Sequence, residues 1–144
     1  MANYRKILVA IDLTDEALQV LDRALAIAKN HGAELMLVHV IEPVGYAYGG
    51  DIPMDLTDLQ TQLDEKARAE LEIYGEKYGI GKENQHVLVG RPEAEVHRLA
   101  EEDKEIDLVV VGSHGRHGIQ LLLGSTANGI LHGATCDVLA VRIM

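Results

Sequence analysis

Five short aliphatic runs recur along this chain, each separated from the next by a segment with helical spacing, and that alternation is the pattern of a parallel sheet with crossover helices. The runs are Lys6 to Ile11, Glu34 to Ile41, His86 to Val89, Asp107 to Val111 and Asp137 to Arg142. Within the fourth, Leu108-Val109-Val110-Val111 carries no polar residue on either side of the pleat, as expected of a strand buried on both faces. The predicted class is α/β. A chain of 144 residues, 47% hydrophobic, supplies one core and is short for two ordinary domains, so a single domain over residues 1–144 is expected.

The helices have start and stop signals of their own. Thr14 is placed to cap a first helix with Asp15 and Glu16 in its opening turn and His31-Gly32 at its end. Its apolar positions Ala17, Leu21, Ala24, Leu25 and Ala28 follow the 3.6-residue period. A second helix is predicted to open at Thr57, with Gln60 completing a capping box, and to bury Leu59, Leu63, Ala67, Leu71, Tyr74 and Tyr78. Gly75 threatens to end it early. Pro92 suits the first turn of a third helix that buries Val96, Leu99 and Ala100. The fourth begins near Ser125 and stops at His132-Gly133.

Charge and composition remove several function classes. Against 13 Lys and Arg stand 23 Asp and Glu, a net charge of −10, so an approach to nucleic acid is opposed by repulsion. With no Phe or Trp to stack on bases, no nucleic-acid partner is expected. No apolar run approaches the roughly 20 residues that cross a bilayer, and Met1 to Lys6 runs straight into a strand instead of a signal-peptide core. The expectation is a soluble, cytoplasmic protein with no membrane role. The single cysteine, Cys136, forms no intrachain disulfide and anchors no metal cluster.

The chemistry concentrates where Gly112-Ser113-His114-Gly115 follows the fourth run and Gly124-Ser125-Thr126 opens the fourth helix. Glycines at a strand end let the main chain approach a ligand, and a helix N-terminus offers unpaired N–H donors and partial positive charge. A nucleotide or another phosphorylated small molecule fits that arrangement. A segment of about 15 residues, Glu42 to Leu56, also leaves a strand's carboxyl end; it reads equally as a lid over the same site or as a solvated linker. There is no G-x-x-x-x-G-K-[ST] loop and no G-x-G-x-x-G after the first strand, so P-loop and dinucleotide-dehydrogenase readings lack their central element. Response-regulator chemistry fails as well, because Val89 is followed by Gly90-Arg91 in place of a phospho-accepting Asp.

Single residues at this edge have competing readings. Asp12 ends the first strand, where its carboxylate either accepts hydrogen bonds from an adenosine or closes its own loop. His39, between Val38 and Val40, reads as a satisfied sheet residue. His114 and His117 have no carboxylate or thiol beside them in a ligand pattern, and no metal is expected. Ser125 lacks a base nearby in sequence and reads as an N-cap whose hydroxyl also reaches a phosphate.

Taken together, Lys6-Ile7-Leu8-Val9-Ala10-Ile11-Asp12, Leu37-Val38-His39-Val40, Gly90-Arg91-Pro92, Val111-Gly112-Ser113-His114-Gly115, Leu123-Gly124-Ser125-Thr126 and Asp137-Val138-Leu139-Ala140-Val141-Arg142 resemble the bacterial universal stress protein family over nearly the whole chain. The resemblance implies an open five-stranded parallel sheet of order 3-2-1-4-5 with helices on both faces, Rossmann-like and similar to the adenine nucleotide alpha-hydrolases. It also implies homodimerisation through the last strand and a role in stress resistance. Many members bind ATP through a pattern written G-x2-G-x9-G-[ST].

Carried onto this sequence, the resemblance puts Ala10, Asp12 and Val40 on the adenosine side and Gly112, Gly115, Gly124, Ser125 and Thr126 around ribose and phosphates, with Mg²⁺ as the counterion of ATP. Two positions depart from the pattern: eight residues, Arg116 to Leu123, separate Gly115 from Gly124 where the family has nine, and Leu13 stands where the family usually has glycine. Some members lack the glycine pattern and do not bind ATP, so a family member acting through dimer or partner contacts alone is the alternative. Neither reading makes the protein an enzyme; a third, slow hydrolysis of bound ATP, stays open and ranks last, since a water-positioning base and an arginine finger are not identifiable.

Overall fold

The computed structural model describes residues 3–43, 56–113 and 124–144. The elements run β1 (Lys6–Ala10), α1 (Ala17–His31), β2 (Glu34–Ile41), α2 (Leu56–Tyr78), β3 (Gln85–Val89), α3 (Pro92–Glu102), β4 (Ile106–Gly112), α4 (Ser125–Gly133) and β5 (Asp137–Val141), with a 3-10 turn at Lys82–Asn84 before β3. All five expected strands are present. They form one parallel sheet in the order β3-β2-β1-β4-β5, so the expected 3-2-1-4-5 arrangement holds.

Alternation along each strand divides the core in two. Ile7, Val9 and Ile11 of the first strand segment, with Leu35 and Leu37 of β2 and Leu108 and Val110 of β4, pack against α1 and α2 through Val20, Leu21, Ala24, Ala67 and Leu71. On the other face Leu8, Met36, Val38, Val109 and Val111 meet Val96 and Ala100 of α3 and Ala127 and Ile130 of α4. Central strands covered on both sides require this near-continuous apolar composition. The ladder slips once: Lys6 pairs with Ile106 but Ile7 pairs with Leu108. The bulged residue, Asp107, turns its carboxylate onto the Arg5 and Lys6 N–H groups at 3.0–3.3 Å, which starts β4 one residue earlier than the sequence indicates.

Three local expectations are corrected. Thr14 does not cap α1, which begins at Ala17; residues 14–17 form tight i→i+3 turns instead, starting with Ala17 N–H to the Thr14 carbonyl at 3.0 Å. Thr57 lies inside α2, which already includes Leu56, and Leu63 is 37% exposed, the first fully buried position of α2 among the described residues being Ala67. Gly75 does not interrupt α2. A Cβ there would stand 2.7 Å from the Ile80 carbonyl oxygen and would collide with the Gln85 amide, so packing of the β3 approach explains the glycine. Helix ends at Gly32 and Gly79 have φ of 66° and 72°, the left-handed geometry in which glycine is unstrained. No helix among the described residues is long and apolar enough to cross a membrane.

Candidate functional site

The order of strands reverses direction at β1, whose neighbours are β2 on one side and β4 on the other. Ligands of open α/β sheets bind outside the strand carboxyl ends at such a switch point. Ala10 closes β1 there, level with Val38 and Val111. Ala10 and Val40 are partly buried against the α3/α4 core, so both present their outer surfaces on the face above which α4 begins.

The turn after β1 is held internally. Thr14 donates to Asp12 Oδ1 from its hydroxyl at 2.7 Å and from its N–H at 3.3 Å, and Glu16 N–H donates to Thr14 Oγ1 at 3.3 Å. Both bonds to Asp12 go to the same oxygen. Ile11 N–H continues the ladder to the Val38 carbonyl at 3.0 Å, while its own carbonyl lies 2.9 Å from His39 Nδ1. A carbonyl only accepts, so Nδ1 carries the proton, and His39 is the satisfied sheet residue that its strand context indicates. Leu13, at the family's glycine position, packs against the α1/α2 core and away from the α4 side. Tyr74 of α2, expected from sequence only as a position on its helix's buried stripe, joins this end: burial, and then the carboxylates of Glu70, Asp15 and Asp12, raise its hydroxyl above the ordinary tyrosine range.

The opposite wall is the junction of β4 with α4. Gly112 pairs with Val141 of β5. A Cβ on Gly112 would meet Val20 and Ile143 at 3.4–3.5 Å, ordinary contact, so core packing does not demand a glycine. Gly124 donates to the Ser113 carbonyl at 2.7 Å and is the N-cap residue of α4, with φ −64° and ψ 159°, a conformation open to any residue. Ser125 is therefore the first helical residue and not the N-cap expected from sequence, and no side-chain cap is made at this end. The first bond along α4 runs from Asn128 N–H to the Gly124 carbonyl at 2.9 Å. The N–H groups of Ser125, Thr126 and Ala127 thus precede the helical ladder and face outward along the axis. Ser125 is exposed and Thr126 half-buried.

Of the sequence-derived site residues, Ala10, Asp12, Val40, Gly112, Gly124, Ser125 and Thr126 all come to this one carboxyl edge. Gly115, His114 and His117 lie outside the described residues, as do residues 44–55 of the Glu42 to Leu56 segment. Among the described residues no three His, Cys, Asp or Glu side chains are grouped to hold a metal ion. Three backbone donors at a helix N-terminus, beside a glycine-containing strand end, have the chemistry of an anion site and fit a phosphate.

The family model of the universal stress proteins matches residues 3–142. The chain belongs to that family. It is 46% identical over 141 residues to universal stress protein A homolog 1 of Coxiella burnetii, with 96% of each chain covered. It is 31% identical over 143 residues to a universal stress protein of Methanocaldococcus jannaschii, covering 96% of this chain and 82% of the relative. Among solved structures, the universal stress protein UspA of Lactobacillus plantarum has the same fold, with a TM-score of 0.81, 23% identity and coverage of 99% and 100%. A universal stress protein solved in complex with cAMP superposes with a TM-score of 0.66 at 25% identity, covering 99% of both chains.

Proposed function

We propose that this universal stress protein binds an adenine nucleotide, ATP with Mg²⁺ as counterion, at the carboxyl edge between β1 and α4, and works as a homodimeric binding module. The observation that carries the reading is the set of outward N–H donors of Ser125, Thr126 and Ala127 beside Gly124. Gly112 is a glycine that core packing does not require, and Gly124 is one that its backbone dihedrals do not require. That is the residue choice expected where a ligand approaches the main chain. The phosphates take the backbone donors and the Ser125 and Thr126 hydroxyls; Asp12, Ala10 and Val40 line the adenosine side. The family member in complex with cAMP supports the ligand class. Asp12, the carboxylate assigned to this site, is engaged by Thr14 and lies on the adenosine side of the proposed ligand, away from the phosphates, so the reading is binding without rapid hydrolysis.

Dimerisation through β5 completes the proposal. Ser113 N–H donates to the Val141 carbonyl at 2.8 Å, so Val141 directs its main-chain groups at β4 and, by alternation, Val138 and Ala140 direct theirs at the outer edge. An apolar edge of this kind is normally covered, and pairing with its own copy about a two-fold axis closes the assembly.

Calorimetric titration of the purified protein with Mg-ATP tests the binding reading, with cAMP titrated in parallel. Sub-millimolar affinity for ATP is the expected result. Absence of affinity for either nucleotide would leave the alternative, a family member acting through protein contacts alone.

A further inference from the structure

Ser113 is bonded three ways at the end of β4. Its carbonyl accepts from Gly124 N–H at 2.7 Å, its N–H donates to the Val141 carbonyl at 2.8 Å, and its Oγ accepts from Ile143 N–H at 3.2 Å. The first bond fastens it to the α4 N-terminus; the other two fasten it to β5 and to the residues that follow. Those following residues are also held by packing, Val141 and Ile143 being buried in the α1/α2 core. Met144 exchanges a pair of hydrogen bonds with Gln19 of α1, at 3.0 and 3.3 Å, and the Ile143 side chain lies where it would touch a Cβ on Gly112 at 3.5 Å. Arg142 and Met144 are exposed. Ser113 thus joins the α4 N-terminus to the end of β5 through contiguous hydrogen bonds and packed side chains, the kind of connected network that carries coupling between two sites.

We infer that Ser113 is a positioning residue that couples occupancy of the α4 N-terminal site to pairing of the β5 edge between two copies of the chain. The inference rests on the nucleotide and dimer readings above and adds the link between them. A phosphate held by the N–H groups of Ser125 and Thr126 restrains Gly124, Gly124 restrains the Ser113 carbonyl, and the Ser113 hydroxyl and N–H hold residues 141–143 in the register that continues β5. Restraint at one end is carried to the other through this contiguous set of bonds. Because coupling is reciprocal, nucleotide that tightens the dimer must itself bind the dimer more tightly than the monomer by the same factor.

The test is subunit exchange between isotopically labelled and unlabelled protein, followed by native mass spectrometry with and without saturating Mg-ATP, alongside calorimetry on the same samples. Mg-ATP is expected to slow exchange of the wild-type protein at least about five-fold, the lower end of ordinary coupling. Ser113→Ala keeps both main-chain bonds and loses the acceptor for Ile143, so its exchange should respond to Mg-ATP by less than about half the wild-type factor. Ser113→Thr restores the hydroxyl and should restore the response; thermal melts of all three verify folding. If calorimetry shows ATP bound while wild-type exchange is unchanged, or if Ser113→Ala keeps the full response, the coupling is overturned and the binding reading stands. If ATP does not bind, or the protein is monomeric, the calorimetric or mass result shows that the underlying reading has failed, and the inference fails with it.

Discussion

The imidazole of His97 occupies the space that any side chain at Gly133 would need. A Cβ on Gly133 would lie 2.7 Å from Nδ1 and 3.0 Å from Nε2 of His97, and that ring donates from Nε2 to the Ile130 carbonyl at 2.8 Å. One turn earlier Gly129 faces Glu93 in the same way, with Glu93 Cβ 3.0 Å from a built Cβ. Two glycines four residues apart on α4 thus admit two side chains four residues apart on α3.

This relationship sets the sign of Gly133→Ala. Helix propensity alone favours alanine by about 0.8–1.0 kcal/mol, whereas overlap with the ring forces His97 off the Ile130 carbonyl or separates the helices. Overpacking costs roughly 1–3 kcal/mol, so the two together predict net destabilisation of up to about 2 kcal/mol in urea unfolding. In a His97→Ala background the same substitution should cost less than half as much. A cost independent of His97 would show that the ring is not what excludes the side chain.

Lys6 and Asp103 form a sheltered ion pair, 2.7 Å apart with side chains 12% and 29% exposed. The shared hydrogen bond holds Lys6 above the usual lysine range and Asp103 below the usual carboxylate range. Asp103→Ala strands a poorly solvated ammonium and should destabilise the fold by about 2 kcal/mol at pH 7. Because the folded carboxyl binds its proton less readily than the unfolded one, its contribution is present above the unfolded pKa and disappears as pH falls through the folded value. The variant should therefore show a shallower loss of stability below about pH 4 than the wild type, read from denaturant midpoints across pH.

His86 gives a pH dependence at milder acidity. Its Nε2 is buried with no hydrogen-bond partner among the described residues, and burial, then the Lys6 charge, lowers its pKa. An unfolded histidine titrates near 6.5, so between the folded value and 6.5 the unfolded chain binds more protons, and stability falls as pH falls through that window. His86→Leu should remove part of the slope between about pH 7 and pH 5, judged as a difference from wild type so that the other histidines cancel. Identical slopes would mean that His86 gains a partner on protonation.

The strands and the place of the candidate site were legible because both depend on local pattern. Buried parallel strands need unbroken aliphatic runs, and residues just beyond those runs, such as Asp12 and Gly112, fall together once the runs are parallel neighbours, while Gly124 joins them through its bond to the Ser113 carbonyl. The errors arose where two local preferences competed. Thr14 and Ser125 are good cap residues, yet the first is taken up by Asp12 in a preceding turn and the second is displaced by Gly124, whose extended backbone already occupies the cap position. The remainder was invisible because it is long-range. Lys6 with Asp103, His97 with Gly133 and Ser113 with Ile143 are separated by many residues, and nothing in the spacing of either partner announces the other.

Gly124→Asp tests the anion site without disturbing the core. The φ and ψ of Gly124 suit any residue, and aspartate is itself a favourable N-cap, so the melting temperature should be unchanged or slightly higher. A carboxylate at the same N–H groups competes with and repels a phosphate, and Mg-ATP affinity should fall at least about a hundred-fold, or roughly 2.7 kcal/mol. Retained affinity in a folded variant would move the nucleotide away from the α4 N-terminus.

Ala140→Pro separates the outer edge of β5 from its inner edge. Register pairs Ala140 with Val111, and the bond from Ser113 N–H to the Val141 carbonyl fixes which main-chain groups face β4. By alternation the Ala140 N–H points outward, so proline there leaves the β4 ladder intact and deletes one donor from the free edge, the position at which a strand tolerates it. Ala140 is exposed and its neighbours Val138 and Leu139 are half-buried, so an exchange of main-chain bonds with a second copy would also cover apolar surface. Sedimentation equilibrium should give the wild type a mass about twice 15.7 kDa and give the proline variant a mass close to the single-chain value at the same concentration, with an unaltered far-ultraviolet spectrum. Val141→Pro serves as the contrast, because it removes the β4 bond and should lower the melting temperature whatever the state of assembly. A dimer that survives Ala140→Pro unchanged would place the interface on another surface.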